Sequence, residues 1–300
     1  MLPNFLLIGA AKAGTSALYH FLNQHPQVFM AKQKELRFFS SIDTPEVQGP
    51  KVYKYDYIHS LDEYRYHFVD GASAAAVGEA SPQYLYYPKS ASRIFQIIPD
   101  VKLITVLRNP IDRAYSSYLH AVRDWHEPEM EFAKALQKEQ MRINLGWPML
   151  FHYVNAGFYA NQLKPFFSHF KRNSLKIIIY DELINSPLDT MKDLFSFLDI
   201  DTSFEPNLSL RPNISGYPKN RRLYRFYKYL FKENNVLRSF LTNLIPKSTR
   251  RSVASKLIHN NLSKVPMDEH TRTGLQEIFN KDINDLQKMI GEDLSVWMFE

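Results

Sequence analysis

The stretch Asn4-Phe5-Leu6-Leu7-Ile8-Gly9-Ala10-Ala11-Lys12-Ala13-Gly14-Thr15-Ser16 decides how the chain is read. An apolar run from Phe5 to Ile8 ends at Gly9. A turn of small residues with a single lysine follows, and Gly14-Thr15-Ser16 opens the amphipathic run Ala17-Leu18-Tyr19-His20-Phe21-Leu22. This pattern predicts a buried strand, a tight loop and a helix start. Such a loop bares backbone N–H groups at the positive end of the helix dipole, where an anion is favoured. Lys12 adds a full charge, and Thr15 and Ser16 add hydroxyl donors. A phosphate cradle is expected in preference to an ordinary strand-to-helix turn.

Gly9 and Gly14 keep the glycine spacing of G-x-x-x-x-G-K-[ST], the ATP and GTP loop, but Thr15 stands where that pattern has lysine. The lysine sits two positions before Gly14 instead. A metal-bound triphosphate therefore fits poorly, and a nucleotide whose charge the protein itself neutralises fits better. At these residues the chain resembles the sulfotransferases that use 3′-phosphoadenosine 5′-phosphosulfate (PAPS). The resemblance implies that Lys12, Ala13, Gly14, Thr15 and Ser16 form the 5′-phosphosulfate loop, with Lys12 also serving catalysis.

Three hundred residues suffice for one large α/β domain with a substantial core. A 45% hydrophobic and 14% aromatic composition suits a folded chain. The formal charge of +6 fits an anionic ligand but does not separate a nucleotide from a sulfated sugar or a nucleic acid. The chain has no cysteine, which excludes disulfide scaffolds, thiolate metal sites, Fe–S clusters and cysteine nucleophiles. No stretch reaches about eighteen uninterrupted apolar residues, so no stable membrane insertion and a cytoplasmic location are expected.

Further strands are predicted at Val28–Met30, at 75–78, at 101–107 and at 175–180, with helices at 91–98, within 130–170 and at 191–198. The 101–107 run is nearly continuous apolar, the mark of a central parallel strand buried on both faces. The 130–170 helical region is expected to break near Gly146-Trp147-Pro148 and again at Pro165. Residues 41–70 read as loops with short helices near Tyr64. Alternating strands and helices argue for a single-domain, doubly wound parallel β-sheet flanked by helices, and the resemblance makes it the P-loop NTPase-like sulfotransferase fold. Residues 1–200 form the nucleotide-binding α/β core, and 201–300 a basic covering loop with C-terminal helices. Ligands of such sheets bind outside the carboxyl ends of the strands, where the loop at 9–15, Glu79-Ala80-Ser81 and Arg108 all fall.

A second constellation is Leu107-Arg108-Asn109-Pro110-Ile111-Asp112-Arg113-Ala114-Tyr115-Ser116. Arg108 ends a strand and Ser116 lies about two helical turns on, where they could bind another phosphate. The segment resembles the family's 3′-phosphate motif, which implies that role for Arg108 and Ser116; Tyr159 is assigned to the nucleotide with them. Lys34-Glu35-Leu36-Arg37-Phe38-Phe39 resembles the Lys/Asn-Glu-x-x-Phe-Phe stretch of heparan-type sulfotransferases. Sulfuryl transfer to an alcohol or amine calls for one general base, and the resemblance makes it Glu35. Gly78-Glu79-Ala80-Ser81-Pro82-Gln83-Tyr84 resembles Glu-Lys-(Ser/Thr)-Pro-x-Tyr, with Ala80 in place of the lysine. Glu79 would assist the acceptor or orient Lys12, and Ser81, Tyr84 and Arg37 are further acceptor-contact candidates. Asn213-Ile214-Ser215-Gly216-Tyr217-Pro218-Lys219-Asn220-Arg221 resembles a loop that closes over PAPS, implicating Gly216, Lys219 and Arg221.

The reaction implied is in-line sulfuryl transfer from PAPS, leaving adenosine 3′,5′-bisphosphate (PAP), with no metal and no nucleic-acid partner. The acceptor is a carbohydrate or a small-molecule natural product, sulfated on oxygen or nitrogen, with Tyr53, Tyr55, Tyr57, Tyr64 and Tyr66 candidates to line its pocket. His120, His126 and His152 read as surface or pocket-lining residues. A nucleotide kinase-like phosphotransferase and a non-catalytic polyanion-binding protein are the rival readings. Oligomeric state is not legible.

Overall fold

The structure, a computed structural model of the chain, describes residues 1–41, 57–124, 126–209, 217–218, 262–263 and 265–298. Phe5, Leu6, Leu7 and Ile8 are all fully buried, and they form the central strand β1 (Phe5–Gly9). The other strands of its sheet are β2 (Val28–Met30), β3 (Ala76–Ala80), β4 (Lys102–Leu107) and β5 (Leu175–Ile179). Their order is β2-β3-β1-β4-β5, and every pairing is parallel. The chain steps outward from β1 to β2, returns at β3, then passes over β1 to β4. That reversal puts the carboxyl tips of β1 and β4 side by side, where an open α/β sheet binds its ligand.

Helices on the two sides of the sheet close the core. They are α1 (Thr15–Leu22), α2 (Leu61–Tyr66), α3 (Gln83–Tyr86), α4 (Lys89–Ile97), α5 (Pro110–Arg123), α6 (Phe132–Gln137), α7 (Glu139–Asn144), α8 (Tyr159–His169), α9 (Tyr180–Asn185), α10 (Pro187–Phe197) and α11 (Glu269–Ile290). The start of α5 is set locally: the Asn109 side chain accepts the Ile111 N–H at 3.0 Å, and Pro110 supplies a preset φ in the first turn. Helix α11 starts at Asp268, which accepts the Thr271 N–H at 2.9 Å, and ends at Gly291 with φ 77°. It docks on α8 through the Phe158 and Phe279 rings and through Asp282, which accepts the Ala160 N–H at 3.0 Å. The backbone at Tyr217–Pro218 pairs antiparallel with Leu262–Ser263.

Between α5 and α8 the short helices α6 and α7 and the turns around them are held by a buried ion pair. Glu127 accepts both terminal guanidinium nitrogens of Arg142, at 2.6 and 2.8 Å, and the Tyr153 hydroxyl at 2.5 Å. Each charge is satisfied by the other, the condition under which such a pair survives in an apolar interior.

Three elements differ from the sequence expectation. Strand β3 extends to Ala80, because parallel pairing with β1 continues through Leu6↔Glu79 and Leu7↔Ala80. Helix α8 runs through Pro165, since its buried face of Tyr159, Ala160, Leu163 and Phe166 outweighs the loss of one N–H bond. Helix α9 begins at Tyr180, one residue inside the strand that the sequence predicts at 175–180. No helix among the described residues is long and apolar enough to cross a membrane.

Candidate active site

Lys12 and Arg108 leave neighbouring strand tips on one edge of the sheet. The loop after β1 is tied to β4 by the Ala10 N–H, which donates to the Val106 carbonyl at 2.8 Å. Gly14, at the N-cap of α1, has φ 101°, and its carbonyl accepts the Ala17 N–H at 2.9 Å. A Cβ at Gly14 would sit 3.2 Å from the Tyr180 ring, and the Arg108 guanidinium lies over that same ring, 4.8 Å from its centroid. Tyr180, the first residue of α9, therefore fixes the spacing between the lysine loop and the arginine. Thr15 is buried, whereas Ser16 is half-exposed.

The electrostatics of the loop are dominated by cations. Burial, reinforced by the Arg123 guanidinium, brings the Lys12 ammonium down to about 7, with Asp124 and Glu35 pulling the other way. His120 lies in the same group. Burial first, then Lys12 and Arg123, holds its ring far below its ordinary value and therefore neutral at physiological pH. Its Nδ1 accepts from Arg123 at 2.6 Å, which leaves the ring proton on Nε2, 3.7 Å from Asp124 Oδ2. His120, Arg123 and Asp124 were not selected from the sequence as site residues. The available signal is spacing along α5 and its C-cap: His120 lies about one turn after Ser116, and Arg123 and Asp124 about one turn after His120.

Glu35 sits in a turn of left-handed backbone, with φ 63° at Glu35 and 59° at Arg37. The Glu35 N–H donates to the Ala80 carbonyl at 3.0 Å, and the Arg37 N–H donates to Ser81 Oγ at 3.0 Å, which pins the turn to the tip of β3. On the Glu35 carboxylate, Oε2 accepts from Arg37 at 2.5 Å and from Gln83 Nε2 at 3.1 Å. Lys34 Nζ lies 3.8 Å from Oε1 and donates to Ser16 Oγ at 2.5 Å. Burial alone would raise the carboxyl, but Arg37, Lys34 and the Gln83 bond outweigh it and hold Glu35 below the usual range. It is a fully ionised acceptor facing the loop. Lys34 and Gln83, which the sequence motifs contain without a role, are brought to the Glu35 carboxylate by the structure.

Glu79, Ser81 and Tyr84 lie in the interior, bonded to one another. Glu79 is 1% exposed and Ser81 and Tyr84 are fully buried. The Glu79 carboxylate takes hydroxyls from Ser81 at 2.6 Å, Tyr84 at 2.6 Å and Tyr64 at 3.2 Å, and it orients these groups instead of Lys12. Burial raises Glu79 to about 7 against those three hydrogen bonds. The extension of β3 by two residues is the reason: it carries Glu79 into the sheet. Tyr64 is likewise in the core, stacked on Phe38 at 4.6 Å. Arg37, half-buried, is engaged by Glu35.

Tyr159 is also buried, and its hydroxyl donates to the Arg108 carbonyl at 2.9 Å, which ties it to the Arg108 backbone. Ser116 lies in α5, nearly buried on the core side. His152 is a structural group, bonded to the Tyr86 hydroxyl at 2.7 Å and to the Trp147 carbonyl at 2.9 Å. Gly216, Lys219, Arg221, Tyr53 and Tyr55 lie outside the described residues. Among the described residues, no group of three or more His, Asp or Glu side chains could hold a metal ion.

A model of the sulfotransferase domain matches residues 2–287. The crystal structure of a sulfotransferase from Alicyclobacillus acidocaldarius superposes with a TM-score of 0.77 at 32% identity, covering 99% of each chain. The membrane-associated sulfotransferase kil1 of Dictyostelium discoideum is 33% identical over 125 residues, 41% of this chain and 24% of that protein. Heparan sulfate glucosamine 3-O-sulfotransferase 3B1 of Mus musculus is 26% identical over 200 residues, 66% of this chain and 46% of that protein. The chain thus spans about a quarter to a half of the length of these curated relatives.

Proposed function

Because the chain belongs to the sulfotransferase domain family, we propose that it transfers the sulfuryl group of PAPS to a hydroxyl or amine of a carbohydrate or small-molecule natural product. Its class as a sulfotransferase and its P-loop-like α/β fold follow from the family match and the bacterial neighbour. The donor, the acceptor and the residue roles are our reading. So are a single domain over 1–300 and a cytoplasmic location.

The observation that carries the donor is the pairing of two cationic strand tips. Lys12 and Arg108 follow the adjacent strands β1 and β4 at their carboxyl ends, and the Tyr180 ring lies under Arg108 and within 3.2 Å of where a Cβ at Gly14 would sit. The donor set fits an anion: Lys12 and Arg123, the Thr15 and Ser16 hydroxyls, and the loop N–H groups at the start of α1, where Gly14 packs close to Tyr180. Residues 13–16 would hold the 5′-phosphate, with Arg108 and Ser116 on the 3′-phosphate. When bound, PAPS supplies an activated sulfuryl group. Lys12, in its charged form, would stabilise the negative charge that develops on the leaving phosphate.

Glu35 takes the acceptor proton. Held below the usual carboxylate range by Arg37 and Lys34, it is a weak base toward a resting hydroxyl. It becomes competent as the attacking oxygen turns acidic late in transfer, and positioning supplies the larger part of the rate. The sugar-sulfating relative supports a carbohydrate acceptor.

Thermal denaturation with PAP against ATP–Mg²⁺ tests the donor. Stabilisation by PAP is expected; stabilisation by ATP–Mg²⁺ alone overturns the reading in favour of phosphoryl transfer. A panel of sugars and phenols incubated with PAPS, read by mass gain of one sulfuryl group, then identifies the acceptor.

A further inference from the structure

We infer that the Lys34 ammonium is a donor-binding group that contacts the sulfuryl oxygens of PAPS, bridging the 5′-phosphate loop and the Glu35 carboxylate. In the sequence Lys34 is the first position of the Lys/Asn-Glu-x-x-Phe-Phe resemblance, with no role attached to it. The structure gives its ammonium two contacts of different kinds. Nζ donates to Ser16 Oγ at 2.5 Å and lies 3.8 Å from Glu35 Oε1. Ser16 belongs to the first turn of α1, at the loop assigned to the donor phosphate, and Glu35 is the group assigned to the acceptor proton. In an in-line transfer the sulfuryl lies between those two groups. Among the described residues, Lys34 is the side chain whose charged end touches both.

Three features fit a ligand contact better than a surface ion pair. Lys34 and Glu35 are only 26% and 28% exposed, unlike the Lys32–Asp70 pair at 78% and 65%. Arg37 and Gln83 already occupy Glu35 Oε2, so Lys34 is not needed to hold that carboxylate. Burial lowers Lys34 while Glu35 offsets it, which leaves a poorly solvated ammonium. An incoming sulfonate would replace the Ser16 hydroxyl as its acceptor and release that hydroxyl to the phosphate.

The inference rests on PAPS being the donor, and the test separates the two. PAP carries both phosphates but no sulfuryl group, so the ratio of PAPS to PAP affinity isolates the contact. Both nucleotides are titrated calorimetrically into the wild-type protein and into Lys34→Met, with thermal midpoints as a check on folding. The expected result is unchanged PAP affinity in Lys34→Met with PAPS affinity reduced roughly 10-fold or more, the range of a charged hydrogen bond. Equal losses for both nucleotides would make Lys34 a phosphate or scaffold residue and overturn the inference, as would no loss for either. A wild-type protein that binds neither nucleotide would instead overturn the donor assignment beneath it.

Discussion

Glu79 holds Ser81: the Ser81 hydroxyl donates to Glu79 Oε2 at 2.6 Å, in an interior closed to solvent. With its proton so committed, Ser81 Oγ presents its lone pairs to the Arg37 N–H at 3.0 Å. The Arg37 side chain in turn grips Glu35 at 2.5 Å. A fully buried carboxylate thus reaches the proposed base through one hydroxyl and one turn of left-handed backbone.

Burial raises Glu79 to about 7, so the folded protein carries a proton there that the unfolded chain releases near 4.5. The folded state binds more protons over that interval, and stability therefore falls as pH rises from about 4.5 to 7, by roughly 3 kcal/mol for this group. Glu79→Gln removes the titration. Urea melts at half-unit pH steps should give a wild-type curve that declines relative to Glu79→Gln across that window. Parallel curves would show that Glu79 ionises at an ordinary value.

The Lys12 ammonium, lowered to about 7, is largely neutral in the free protein at pH 8. A bound phosphate favours the charged form, so binding takes up a proton there. PAP affinity should weaken as pH rises from 7 toward 9. Calorimetric enthalpies at pH 8 should differ between buffers of unlike ionisation enthalpy, and Lys12→Met should abolish both effects along with most of the affinity. A pH-independent affinity above 7 would place Lys12 away from the phosphate.

Replacing Glu35 by Gln keeps the shape and the Gln83 neighbour but removes the proton acceptor. Turnover should drop by roughly 10²-fold or more, with PAP affinity retained. The loss should not be recovered at high pH, as it would be if a neighbouring group merely needed to deprotonate. Undiminished turnover in Glu35→Gln would assign the base elsewhere.

Gly14 and Gly274 form a matched pair. Alanine at Gly14 must adopt φ near 101° with its Cβ 3.2 Å from Tyr180, whereas Cβ at Gly274 meets nothing within 4 Å inside α11. Gly14→Ala should lower stability by about 1–2 kcal/mol and weaken PAP binding. Gly274→Ala should raise stability by about 0.5–1 kcal/mol with binding unchanged. Thermal melts and PAP titrations of the two variants check both signs.

Much of the architecture is legible in local pattern. The apolar run at Phe5–Ile8, the small-residue loop and the amphipathic run from Thr15 announce β1, the cradle and α1, because burial on both faces and a 3.6-residue period leave marks on adjacent residues. Pro110 after Asn109 marks the start of α5 for the same local reason. Pro165 misleads, since its cost of one N–H bond is smaller than the packing of the face that carries Leu163 and Phe166.

From the sequence alone come the strand-and-helix alternation, the displaced lysine of the loop and the carboxylate at position 35. The tertiary structure alone decides which side chains meet. Glu79 is carried into the sheet interior because β3 pairs with β1 two residues further than its own apolar run suggests. Lys34 reaches Ser16 because a parallel sheet gathers the tips of strands far apart in the chain, and His120 and Arg123 act on Lys12 from the last turn of α5. Charge, burial and hydrogen-bond partners at such a junction depend on three-dimensional neighbours, which no local pattern of residues encodes.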